Sequence, residues 1–406
     1  MFSDCYHPVI NGVVTSIDVL RSNLMKAGHE IELFVPDKPG FSDHDLSIHR
    51  FFSLTAPFHK ESRFTLPHPW GHIKRLQDWA PDVLHIHTPF NLGLVGLYVS
   101  EKLGLPYVFT HHTLWEEYVH YVPLVSRRLL RKTAIAVCRQ FCNGASTVVA
   151  PSDEVKSRLL TQRVRQPIEV IPTGIDVECF AEGDGAAIRT RYGLLPEHRV
   201  AIYVGRMGKE KSLDFLLNAF AQVSREVPEA RLLMVGGGPE KTVLEEQTRS
   251  LGLQDRVTFT GYVPRTDLAS YFRAARVFLF SSVTETQGLV SLEAQASSCP
   301  VVAVRASGSN EAVADQETGF LVPQNEADFA AHTIRLLCDD ALQARMASSA
   351  LERALHFSSR IMVERHLQVY EQAVDDRRRN GRARRLARIR RRLMGLLGLP
   401  GSKVPR

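Results

Sequence analysis

Two doubly wound α/β domains facing each other across a cleft are what this sequence predicts, and three observations carry that expectation. The chain has 406 residues, beyond the length at which a single hydrophobic core usually stops growing. Short β-rich apolar runs alternate with amphipathic helical patterns almost from end to end. The alternation breaks once, in PTGIDVECFAEGDG at 172–185, which has the Pro, Gly and Asp of a connection and no sustained period.

The first series of buried parallel strands is read in IELFV (31–35), VLHIH (83–87), YVFTH (107–111), STVVA (146–150) and IEVI (168–171). A second series follows in VAIYVG (200–205), RLLMVG (231–236), VTFTG (257–261), VFLFSS (277–282) and VVAV (301–304). Helical patterns lie between them, among others at 13–27, 212–226, 240–251 and 326–338. These elements predict Rossmann-like domains over 1–178 and 179–357, a helix at 358–374 packing back on the first domain, and a basic amphipathic tail at 375–406. MFSDCYHPVINGVV leaves only two or three residues for the first strand, so either the recorded start lies downstream of the true one or that strand is a stub.

Composition narrows the function classes. The net charge of +6 is a property of the tail, because residues 377–406 carry ten Arg of a basic run plus Lys403 and Arg406 and no acid, which leaves the rest at −6. Nucleic-acid binding by the body is not suggested. The six cysteines are scattered without a CxxC pair, as in a reduced cytoplasmic setting. No apolar run approaches the roughly 20 residues needed to cross a bilayer, and the N-terminus lacks the pattern of an export signal.

Ligands of open α/β sheets gather at the carboxyl ends of the strands, and four groups of residues fall there. In SSVTETQGLVSLEA, Glu285 follows a strand and Gly288 opens a helical pattern with Leu289, Leu292 and Ala296 at core spacing; Glu293 projects from that helix. Helix-start amides suit a phosphate, and carboxylates suit paired sugar hydroxyls. The spacing of the two glutamates alone carries little. In YVGRMGKEKSLDFLL, Arg206, Lys209 and Lys211 occupy the turn after a strand, where fixed cations can neutralise a diphosphate as its bond breaks. NGVVTS at 11–16 runs a Gly-containing loop into a helix, although an Asn-Gly is often only a turn. His85, His87, His111, His112 and His120 gather near two strand ends, either as structural histidines or, with less support, as a zinc site for which Cys and acid ligands at metal spacing are missing.

Together these residues resemble the family 4 retaining glycosyltransferases of GT-B fold, over essentially residues 1–374. The resemblance rests on P-x-x-N-G-V at Pro8 to Val13, T-H-H-T at Thr110 to Thr113, V-G-R-M-x-K-E-K at Val204 to Lys211, and the Glu, seven residues, Glu signature of Glu285 and Glu293. It implies that Arg206 and Lys211 bind the nucleotide diphosphate, Glu293 the ribose and Glu285 the donor sugar hydroxyls. The amides around Gly288 and Leu289 would face the phosphates or sugar, Gly12 would lie against the diphosphate from the other domain, and His112 would contact the reacting sugar and assist catalysis. No cofactor and no bound metal are implied, since the cations take the metal's electrostatic role. TETQGLVSLEA and HHTLWEEYVHY look like the branch that glycosylates diacylglycerol from UDP-glucose. Thr286-Gln287 stands where many relatives have Gly-Phe or Gly-Tyr, and Ser307-Gly308-Ser309-Asn310-Glu311 replaces the commoner Gly-Gly-x-Pro-Glu.

A lipid acceptor requires access to a bilayer surface. In SRRLLRKTAIAVCRQF, Leu130, Ala134, Val137 and Phe141 share one helical side, and Arg127, Arg128, Arg131 and Lys132 supply charge. The alternative for this segment is an ordinary helix packed on the sheet. In the tail, Leu386, Ile389, Leu393, Leu396 and Leu397 form a stripe bordered by Arg384, Arg385, Arg388 and Arg391. Such helices adsorb to anionic headgroups; a disordered basic extension is the alternative. The expected activity is metal-independent, retaining transfer of a hexose from a nucleotide sugar to a membrane lipid, by an enzyme held at the inner face of the cell membrane. A transferase for a soluble or polyprenyl-linked acceptor in envelope polysaccharide synthesis is the other reading.

Overall fold

A computed structural model describes residues 1–9, 11–56, 59–65, 70–112, 126–283 and 287–396. In the N-terminal half, strands β1 (Leu33–Pro36) and β2 (Ile48–Phe51) pair in parallel, and an antiparallel ribbon of β3 (Ser53–Ala56) and β4 (His59–Thr65) follows. The parallel strands β5 (Leu84–Ile86), β6 (Tyr107–Thr110), β7 (Thr147–Ala150) and β8 (Ile168–Val170) lie side by side in sequence order. Between β1 and β5 runs the opening of the chain. Phe2 bridges Phe34 on one side and Ile86 on the other, Phe2 N–H donates to His85 O (2.9 Å), and His87 N–H donates to Phe2 O (2.9 Å). Three residues therefore do the work of a strand, and the Phe2 ring stacks on Phe34 at 4.8 Å.

The C-terminal half builds one six-stranded parallel sheet from β9 (Arg199–Val204), β10 (Ala230–Val235), β11 (Val257–Gly261), β12 (Val277–Phe280), β13 (Val301–Val304) and β14 (Gly319–Val322). Their order is β11-β10-β9-β12-β13-β14. Winding reverses between β9 and β12, the switch point at which open α/β sheets leave a crevice beyond the strand ends. Both faces are covered: Ala201 and Tyr203 enter one core cluster, Val200, Ile202 and Val204 the other. That two-sided burial is why these strands read as continuous apolar runs. β14 escapes the sequence reading because its apolar run is short and Pro323 follows it; Gly319 lets it approach β13, since a Cβ there would lie 2.0 Å from Val301 O.

The halves are joined at two adjacent crossings. Ile175 N–H donates to Phe357 O (2.9 Å) and Ser359 N–H to Ile175 O (2.8 Å). Beyond them a single helix, Ser359–Leu396, packs Met362, Val363, Val369 and Ala373 against Val19, Leu20 and Leu24 of helix Gly12–Lys26 and against Val108 and Val149 of the first sheet. No helix among the described residues is long and apolar enough to cross a membrane.

Candidate active site

The two motifs of the second half stand at the ends of β9 and β12, on either side of the switch point. β9 runs into Gly205 and the exposed Arg206, and then into a short 3-10 turn, Lys209–Lys211. Ser212 adopts a left-handed conformation (φ 49°) to redirect the chain into helix Leu213–Glu226. From the end of β12, Ser281 Oγ donates to Lys211 O (2.7 Å) and Ser282 Oγ to Glu210 O (3.3 Å). Two adjacent hydroxyls thereby fix the cationic turn to the loop that carries the first glutamate. The sequence reading passed over these serines, whose only signal is a pair of hydroxyls directly after a buried strand.

Lys211 is held at a pKa of about 8, well below the usual ammonium range. Desolvation is the main cause, Glu210 opposes it, and Arg206 adds to it, so the two cations sense each other. Glu285 lies outside the described residues. Beyond it Gly288 takes φ 67° as the cap of helix Leu289–Ala296, where a Cβ would approach Gly308 O at 3.0 Å.

Glu293 is not an open carboxylate at the cleft edge. Its side chain is buried and accepts from Arg265 Nη2 at 2.5 Å. Burial raises its pKa, and the Arg265 guanidinium partly offsets that. Arg265 was not a sequence candidate, because 28 residues separate it from its partner and its loop has no motif.

From the first half, Asn11 caps helix Gly12–Lys26 by accepting from Val14 N–H (3.0 Å). Gly12, the first helical residue, is exposed, and a Cβ built on it meets nothing within 4 Å. Nothing in the protein's own packing asks for a glycine there.

His112 follows β6 and is half-buried. Its Nε2 is 2.9 Å from His87 Nδ1, and the two rings stack at 5.2 Å. His87 in turn lies 4.0 Å, centroid to centroid, from His85. The His85 ring is held by Thr110 Oγ1 (2.6 Å) and by the Tyr370 hydroxyl (2.7 Å) from the C-terminal helix. Desolvation lowers the pKa of every member, that of His112 to about 3, so the rings are neutral at pH 7. His111 is buried, both of its ring nitrogens lack a partner among the described residues, and His120 lies outside the described residues. Among the described residues no three His, Cys, Asp or Glu side chains group as metal ligands.

A buried amide joins the two halves. Gln287 Oε1 accepts from Thr173 N–H (2.8 Å), and Gln287 Nε2 donates to Thr173 O (2.9 Å). Thr173 Oγ1 then donates to Ser16 Oγ (3.0 Å), one turn along the helix that Gly12 begins. The residue whose identity stood out in the sequence thus serves the inter-domain connection.

In helix Arg127–Gly144 the apolar side faces inward: Phe141 and Cys142 belong to the first-half core and Val137 packs against it. Of the stripe, Val137 and Phe141 are therefore spent on the first-half core, while Leu130 and Ala134 are half-buried. Arg128, Arg131 and Lys132 are exposed, as is Leu129 at 59%. The side chains of Arg127, Arg384, Arg385, Arg388 and Arg391 lie outside the described residues. A recess of about 1190 Å³ opens at the amino ends of β5 to β7, beside Ala373–Arg378, and none of the candidate residues lines it.

Comparison with known proteins gives this geometry a family. A model described as Glycosyltransferase Family 4 matches residues 10–179, and one described as Glycosyl transferases group 1 matches residues 186–353. An alpha-monoglucosyldiacylglycerol synthase of Streptococcus pneumoniae is 32% identical over 328 residues, 79% of this chain and 74% of that protein. Its counterpart in Acholeplasma laidlawii is 29% identical, over 86% of this chain and 90% of that one. A D-inositol 3-phosphate glycosyltransferase of Kribbella flavida is 34% identical over 72% of each. Among solved structures, Anabaena HepE in complex with UDP-glucose superposes with a TM-score of 0.72 at 20% identity, over 90% of this chain and 98% of that one. Two matched domains and a 32% identical relative covered over 74% of its length establish that the chain belongs to glycosyltransferase family 4, with the GT-B fold.

Proposed function

We propose that the chain transfers a hexosyl group, glucose from UDP-glucose, to the hydroxyl of a membrane lipid such as 1,2-diacylglycerol, with retention at the anomeric carbon and without a bound metal. The observation that carries the donor half is the pinning of the Arg206–Lys211 turn by Ser281 and Ser282 at the switch point. As the glycosidic bond breaks, negative charge grows on the diphosphate, and two cations with helix-start amides at Leu289 stabilise it more than they stabilise the bound donor. Gly12 offers its amide to the same diphosphate from the opposite domain. Glu293, oriented by Arg265, accepts from the ribose hydroxyls, Glu285 accepts from the sugar hydroxyls, and His112 contacts the reacting sugar.

Two features support the lipid acceptor. The relatives from Streptococcus and Acholeplasma are named for that product. The exposed Arg128, Arg131 and Lys132 form a basic surface beside Leu129, and anionic headgroups attract such side chains with about 1 kcal/mol each. The basic end of the C-terminal helix would add to that attraction and hold the enzyme at the inner face of the membrane.

The deciding experiment offers radiolabelled UDP-glucose, UDP-galactose and GDP-mannose with diacylglycerol vesicles and with membrane extract. A monoglucosyl lipid in the organic phase, identified by mass spectrometry, is expected. The Kribbella relative favours a second reading, a soluble acceptor, and product confined to the aqueous phase would replace the first reading by it.

A further inference from the structure

The paired imidazoles of His87 and His112 share one short contact, and only one of the two nitrogens in it can hold the proton. His87 is 2% exposed and its other nitrogen, Nε2, is buried with no partner among the described residues. If His112 Nε2–H donated, neutral His87 would have to carry its own proton on that orphaned Nε2. A buried N–H without an acceptor is the costlier and rarer kind of orphan. If instead His87 Nδ1–H donates, Nε2 is left as a bare lone pair.

We infer that His87 Nδ1–H donates to His112 Nε2, which makes His87 a positioning residue that locks the half-buried His112 as the Nδ1–H tautomer. The rest of the array keeps His87 in place. Its ring is pressed on His85 at 4.0 Å, and His85 is clamped between Thr110 of β6 and Tyr370 of the C-terminal helix. A flip of the His87 ring would keep the stack but set a carbon in place of Nδ1 and break the bond. The inference rests on the reading of His112 as the residue against the sugar only for its catalytic consequence; the tautomer itself is independent of that reading.

The test is long-range proton–nitrogen correlation on the full chain with ¹⁵N-labelled histidine, His112 being assigned by its absence in His112→Asn. The expected spectrum has neutral His112 protonated on Nδ1. His87→Phe, which keeps a flat ring against His85, should release His112 to the Nε2–H form that an unconstrained imidazole favours. His87→Asn, which keeps an amide N–H near the Nδ1 position, should retain the Nδ1–H form. Turnover should fall about tenfold in His87→Phe, the worth of one hydrogen bond, with donor KM within about twofold, and recover in His87→Asn. Nε2 protonation of His112 in the wild-type spectrum overturns the inference whether or not any variant folds. The expected spectra with unchanged turnover in His87→Phe would leave the tautomer lock standing and remove His112 from the reaction.

Discussion

If Lys211 lies against the donor diphosphate as proposed, donor binding becomes a proton-uptake reaction. The Lys211 pKa of about 8 in the free protein comes mostly from desolvation and partly from Arg206. A diphosphate placed against it adds two negative charges at contact distance, which returns the group to at least its ordinary value of about 10.5. At pH 8.5 roughly three-quarters of the free enzyme has lost that proton, so binding UDP-glucose should take up about 0.75 proton, against about 0.1 at pH 7. Affinity should fall about fourfold between these two pH values from this group alone. Titration calorimetry in two buffers of different ionisation enthalpy reads the uptake directly. Lys211→Arg supplies a cation that does not titrate, and its uptake at pH 8.5 should vanish even where its affinity is lower. Equal uptake in wild type and Lys211→Arg, or none in wild type, would refute the assignment. The same shift has a signature in folding. The folded pKa lies below the unfolded one, so the unfolded chain binds more protons between about pH 8 and 10.5, and stability should rise with pH across that window, by an upper bound of about 3 kcal/mol.

Gly12→Ala separates ligand contact from folding: its Cβ meets open space, so the melting temperature should hold or rise, by up to about 1 kcal/mol of stability, while donor affinity drops at least about tenfold. Donor binding at wild-type strength in that variant would remove Gly12 from the diphosphate. Gln287→Ala leaves a buried N–H and a buried carbonyl of Thr173 unpaired and should cost about 2–4 kcal/mol in urea unfolding; Gln287→Glu, which sets a carboxylate against the Thr173 carbonyl, should cost at least as much. Replacing Arg128, Arg131 and Lys132 together by Gln should weaken partition onto anionic vesicles by about 3 kcal/mol at low ionic strength, with the difference shrinking in salt. Unchanged sedimentation with vesicles would take this helix out of the membrane contact.

What the sequence made legible was whatever repeats at short range. The parallel strands announce themselves because they are buried on both faces, and the position of Arg206, Lys211 and Gly288 at strand ends follows from counting along the chain. Pairings over long separations are silent in a local pattern: Arg265 with Glu293, Ser281 with Lys211, and His87 with His112 are contacts that only the completed fold brings about. Periodicity has a second limit. It identified the apolar side of helix Arg127–Gly144 but not what covers it, and the sheet of the first half, rather than a bilayer, takes Phe141 and Cys142. The ribbon of β3 and β4 was missed for the opposite reason, since sequences such as HKESRFT carry too few apolar residues to mark a strand.

Gln287 shows how one residue's meaning changes once its partners are known. Read beside Glu285, the Thr286-Gln287 spelling pointed to the acceptor, because it departs from the Gly-Phe or Gly-Tyr of many relatives. In the fold, the amide is buried and spends both of its polar atoms on Thr173, in the connection between domains. An aromatic side chain there could pair with neither group, and a glutamate could satisfy only one. The glutamine is thus accounted for by the hinge, and Thr173 Oγ1 extends the tie to Ser16 in the helix that Gly12 opens. Gln287 therefore ties helix-start residues of the second half to Thr173, and the same spelling that resembles the diacylglycerol branch also has a structural use. Under the proposed function the acceptor would meet the first half, where Phe90 and Leu94 at one helix start, Leu54 of β3, and Leu129 with its basic neighbours are all exposed. Exchanging that surface with one from a relative that uses a soluble acceptor should move acceptor preference while leaving donor affinity and the proton uptake at Lys211 in place.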